Sequence, residues 1–141
     1  MNNIIELMNN YFVFLHEFME VYTKYSYGDE KNSSRLRKMS SLNNEKIDEI
    51  HKNIDDLSSD EKLSLKEKVN ELIISLQEER NILYINLKLI NPEDASSFAS
   101  GMQHISDKIG DIEHKIYCYG RIILSYLNEK KIIKKWQVNN L

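Results

Sequence analysis

The sequence predicts an all-α fold: an elongated helical bundle or antiparallel hairpin of about four helices, with coiled-coil packing and a long C-terminal helix. Three observations predict it. One proline and four glycines in 141 residues leave few points at which a turn-rich β fold could reverse the chain. Apolar residues recur at steps of three and four, the spacing that lines one face of a helix. Between these runs stand residues that stop and start helices: Gly28, Ser58-Ser59-Asp60-Glu61 and Asn91-Pro92-Glu93-Asp94.

The first helix is predicted over residues 3–26, where Ile4, Met8, Tyr11, Leu15, Phe18, Tyr22 and Tyr25 share a face and Leu7, Phe14 and Val21 widen it. Gly28 suits its C-terminal cap, because a residue without Cβ enters the left-handed conformation that ends a helix. Residues 29–41 are polar and weakly periodic, and fit either a loop or the start of the second helix. From Leu42 the pattern firms through Ile47, Ile50, Ile54 and Leu57. Ser58 and Glu61 have the spacing of a capping box, in which each side chain accepts a backbone N–H that the first turn leaves unpaired. Val69, Leu72, Ile73, Leu76, Leu83, Leu87 and Ile90 mark the buried side of the third helix, interrupted by Glu78-Glu79-Arg80-Asn81. Glu79 or Arg80 faces the seam there, according to register. A polar residue in such a seam fixes register at a cost in stability.

Asn91 caps and Pro92 opens the last helix, with Glu93 and Asp94 at the positive end of its dipole. Phe98, Met102, Ile105, Ile109, Ile112, Ile116, Tyr119, Ile123, Tyr126, Lys130 and Ile133 then alternate by four and three, so a long last helix with one apolar seam is expected from about Pro92 to Lys135, either continuous through Gly110 and Gly120 or broken at one of them. It would span roughly 66 Å, against about 37 Å for a compact domain of this chain length. Such a helix must overshoot, bend or find a partner. Gly110 and Gly120 are its weak points, each costing about 1 kcal/mol relative to Ala.

With 41% apolar and 29% charged residues, the chain is too apolar for disorder and long enough for a single helical domain spanning residues 1–141. A net charge of -3 gives no general attraction to nucleic acid or anionic lipid. Cys118 is the lone cysteine, which removes intrachain disulfides and thiolate metal sites and fits a reducing compartment. The first residues lack the basic start and small-residue cleavage site of a signal peptide, and the run Tyr11 to Leu15 is far short of a membrane span. A cytoplasmic protein without a transmembrane segment is expected.

Several residue groupings have the types that catalysis, metal binding or nucleic-acid binding would use. His16-Glu17-Phe18-Met19-Glu20 has Glu20 where a zinc-protease helix needs a second His. Asp48 with His51, and Asp111 with His114, have a helical di-metal spacing, but Ile47, Ile50, Ile109 and Ile112 point inward and turn those pairs outward. None of Arg35, Arg37, Arg80 and Arg121 is followed by a His four to six residues on, as helical nucleases require. Lys130, Lys131, Lys134 and Lys135, next to Trp136, read as a helix terminus whose cations suit the negative end of the dipole. No catalytic, cofactor or metal residue is assigned, and no enzyme is expected.

Leu42, Glu45-Lys46, Ile50, Ile54 and Leu57, followed by Glu67-Lys68, Leu72, Leu76, Asn81 and Leu83, give residues 42–87 a pattern that resembles the FlgN-type chaperones of flagellar and type III export. The resemblance implies a small helical protein that holds an unassembled secreted subunit. The chain departs from it at the C-terminus, where those chaperones tend to end in a flexible tail and this sequence has an apolar helix. The expected function is therefore a non-enzymatic interaction module, a chaperone or adaptor that binds a protein partner and self-associates as a homodimer. Its expected partner surface is Ile116, Tyr119, Ile123, Tyr126, Ile133 and Trp136, because Ile116 to Leu127 is apolar on more than one face. The alternatives are a coiled-coil structural or inhibitory protein of phage or mobile-element type, and a helical metal enzyme.

Overall fold

The computed structural model describes residues 2–26, 33–89 and 95–128. Among these the chain is helical almost throughout, with no strand. Its elements are α1 (Asn2–Ser26), α2 (Ser33–Asp55), α3 (Ser59–Lys88), α4 (Ala95–Cys118) and a π-helical turn, Tyr119–Leu124, from which the chain returns to α-helix through residue 128. Two compact units divide the chain, Met1–Ser64 and Leu65–Leu141, with the boundary inside α3. Gly28 and the Asn91–Asp94 junction lie outside the described residues.

In the first unit α1 and α2 form an antiparallel hairpin. Three side-chain hydrogen bonds set its register: Asn3 Nδ2 donates to Asn53 Oδ1 at 2.9 Å, the Tyr11 hydroxyl to Asn43 Oδ1 at 2.8 Å, and Arg35 Nη2 to Glu17 Oε1 at 3.0 Å. Ile4, Met8, Tyr11, Phe14 and Val21 of α1 are buried, as are Met39, Ile50 and Ile54 of α2. Full burial of an aliphatic side chain of this size contributes about 1.5–3 kcal/mol. The Phe14 ring stands 6.4 Å from Tyr11 and 6.0 Å from Phe18, with the Lys46 ammonium 5.2 Å from its centroid.

One expectation for this unit changes, and one open choice is resolved. Tyr22 and Tyr25 are exposed, whereas Phe14 and Val21, expected beside the seam, are in the core. The helix has 3.6 residues per turn, so a contact line along a partner helix drifts away from a strict four-three alternation. α2 begins at Ser33, nine residues before Leu42, which settles residues 33–41 as helix. Tertiary contacts account for the extension: Met39 is buried and Arg35 reaches Glu17, while Leu42 itself is exposed. The start of α3 is as the capping box requires. Ser58 N–H donates to Glu61 Oε1 at 3.1 Å, and Glu61 N–H donates to Ser58 Oγ at 3.2 Å.

In the second unit, the Tyr84 hydroxyl of α3 donates to Glu113 Oε1 of α4 at 3.1 Å. The expected seam of α4 is followed closely. Met102, Ile105 and Ile116 are half-buried, and Ile109 and Ile112 are buried. Residues 92–94 and 129–135 of the expected last helix lie outside the described residues; within the described part the helix passes Gly110 without a break, α4 ends at Cys118, and Ser125 N–H donates to the Gly120 carbonyl five residues back, the bond that defines a π turn. Gly120, the expected weak point, is thus where the pitch changes. At this turn Cys118, Tyr119, Ile122 and Ile123 are buried.

Candidate interaction surfaces

The six residues expected to meet a partner fall into three groups. Tyr119 and Ile123 are core residues, 4% and 0% exposed. Ile116 and Tyr126 are half-buried. Ile133 and Trp136, with the lysine cluster from Lys130 to Lys135, lie outside the described residues. Between Ile116 and Leu127 the exposed side chains are Tyr117 and Arg121. The Arg121 guanidinium lies 5.9 Å from the Tyr117 ring centroid.

Burial raises the pKa of both the Cys118 thiol and the Tyr119 phenol, since each charged form is poorly solvated there. A thiol held neutral is a weak nucleophile. Tyr84 is also held protonated, first by its hydrogen bond to the Glu113 carboxylate and then by that carboxylate's charge. Among the described residues no three His, Cys, Asp or Glu side chains converge in a way that could hold a metal ion. Asp48, Asp111 and His114 are exposed and His51 is half-buried. No helix among the described residues is long and apolar enough to cross a membrane.

α3 differs from the other helices in carrying two seams. On its packed side Leu65 and Val69 are buried, and Leu72, Leu76, Arg80, Leu83 and Leu87 follow as half-buried positions at steps of three and four. Arg80 is therefore the polar residue that enters the seam, while Glu78, Glu79 and Asn81 are exposed. Its Nε is enclosed and has no hydrogen-bond partner among the described residues. Two residues further on from each position of the packed seam, about 200° around the helix, runs a second series. Glu71, Ile74, Glu78, Ile82, Ile85 and Leu89 recur at steps of three, four, four, three and four, and all are exposed. Ile74, Ile82, Ile85 and Leu89 retain 54%, 58%, 58% and 75% of their surface.

The second series escapes a search for one amphipathic face, because Ile74, Ile82 and Ile85 stand beside residues already assigned to the packed side. A signal was present: α3 is apolar on opposite faces, the pattern of a helix with neighbours on both. Comparison with known proteins finds no matching family model, no curated relative and no similar solved structure.

Proposed function

We propose that the chain is a non-enzymatic helical protein-interaction module, a chaperone or adaptor for another protein. The bare strip of α3 carries the reading. Ile74, Ile82 and Ile85 on one face of α3, with Leu89 in the turn that follows, keep apolar surface in contact with water, and the helix has no folding use for them once its other face is packed. A partner that covers them recovers about 25 cal/mol for each Å² of apolar surface removed from water. Self-association as a homodimer, coiled-coil packing along the four-three alternation from Ile105 to Tyr126, continuation of the last helix toward Lys135, and residence in the cytoplasm belong to the same proposal. The lone, buried Cys118 and the unbroken apolar spacing support them. Of the surface expected from the sequence, Ile116, Tyr126, Ile133 and Trp136 remain proposed partner contacts. Tyr119 and Ile123 act from the core beneath.

Affinity purification of the tagged chain from its source cell tests the proposal. A protein that co-purifies in stoichiometric amount, and loses solubility in cells lacking the chain, is expected. A chain that recovers alone, and sediments as a monomer at every concentration, would overturn it.

A further inference from the structure

We infer that the bare strip of α3 docks a basic amphipathic helix of a partner protein. The inference rests on the interaction-module reading and adds the site and the chemistry of its occupant. Steps of three and four repeated from Glu71 to Ile85 are the footprint along which a second helix lays its own apolar stripe, about 21 Å or four turns long, with Leu89 in the turn just beyond α3. Its polar members decide the partner's charge. Glu71 and Glu78 stand within the strip beside Ile74 and Ile82, all exposed, and no Lys or Arg occupies a position of the series. A covering helix takes both carboxylates partly out of water, which is unfavourable unless it brings cations to them. A second copy of the same strip would bring only further carboxylates, so charge opposes self-pairing here. A partner helix with leucine-like residues on one face and Lys or Arg flanking them satisfies both demands.

The test uses the full chain and two fluorescent peptides of about 18 residues, long enough to span about 21 Å as a helix. Both carry Leu at steps of three and four, one with Lys and the other with Glu elsewhere. Anisotropy is expected to show the Leu/Lys peptide binding at least about tenfold more tightly than the Leu/Glu peptide. Ile82→Asp with Ile85→Asp should weaken binding about tenfold or more, with the helical circular dichroism of the chain unchanged. That pair makes the protein more acidic, so nonspecific attraction of a cationic peptide would rise, and undiminished binding overturns the inference. Glu71→Lys with Glu78→Lys should reverse the preference between the peptides, and guards against loss of fold in the first pair. Two further results also overturn it. Binding seen only after Lys130, Lys131, Lys134 and Lys135 are changed to Ser would identify the chain's own C-terminal segment as the occupant. Self-association abolished by Ile82→Asp with Ile85→Asp would identify a second copy. Should neither peptide bind while a cellular partner still co-purifies, this inference fails and the interaction-module reading stands.

Discussion

Arg80 enters a seam of leucines with its Nε enclosed and unpaired among the described residues. An enclosed N–H without an acceptor costs about 1–3 kcal/mol, and an apolar replacement of similar volume removes that cost. Arg80→Leu is therefore expected to stabilise the chain by about 1 kcal/mol, read as a higher urea midpoint at unchanged slope. A lower midpoint would mean that the guanidinium makes a compensating contact. At the start of α3, hydrogen bonds from Ser58 lower the pKa of the Glu61 carboxyl. Because the folded value lies below the unfolded one, the stabilisation is present above the ordinary carboxylate range and is lost as pH falls through the lowered value. Acid should therefore lower the hydrogen-exchange protection of the first turn of α3, measured relative to the intrinsic exchange rate at each pH. Glu61→Gln should abolish that pH dependence, whereas Ser58→Ala, which keeps the backbone donor to Glu61 and loses the capping hydroxyl, should only weaken it and cost about 1 kcal/mol at neutral pH. Cys118, buried and shifted upward, should resist alkylation in the native chain and react readily once it is unfolded.

The helices show how far periodicity carries. The capping box located the first turn of α3, and the alternation from Met102 to Tyr126 marked the buried side of the last helix at every position. The start of α2 was not legible, because Met39 and the Arg35 to Glu17 pair hold residues 33–41 in a helix that their own spacing does not announce. Nor was the π turn: four-three spacing is the same whether the backbone beneath it winds with 3.6 residues per turn or locally with more. The two glycines of the last helix separate these cases. A Cβ on Gly110 meets nothing within 4 Å, so Gly110→Ala should gain about 1 kcal/mol and raise Tm by about 4 °C. A Cβ on Gly120 is equally free of obstruction. Gly120→Ala should nevertheless gain less, because Ala favours the α pitch and Gly120 lies within the π turn, its carbonyl accepting from Ser125 N–H. Differential scanning calorimetry of both variants gives the comparison.

Taken as a whole chain, the all-α class followed from composition and spacing, while the position of the bare apolar strip did not. Between Ile116 and Leu127 the residues Cys118, Tyr119, Ile122 and Ile123 are buried, and the exposed aliphatic side chains Ile74, Ile82, Ile85 and Leu89 lie on and just after α3. Spacing reports that a face is apolar; it does not report which of two apolar faces the fold leaves bare. Each compact unit has its own fully buried aliphatics, Ile54 in one and Ile123 in the other. Ile54→Ala and Ile123→Ala are each expected to cost about 2–5 kcal/mol in chemical denaturation. The hairpin of α1 and α2 also has a consequence in time. Its register bonds join residues 3, 11 and 17 to residues 53, 43 and 35, all made before α4 is begun. At about 5–20 residues per second on the ribosome, completing α4 takes roughly 3–10 s after residue 64. Helices and short loops form in microseconds or less. The partners of the first hairpin thus wait for one another hardly at all, and translation itself supplies an order in which the two ends of the chain can fold.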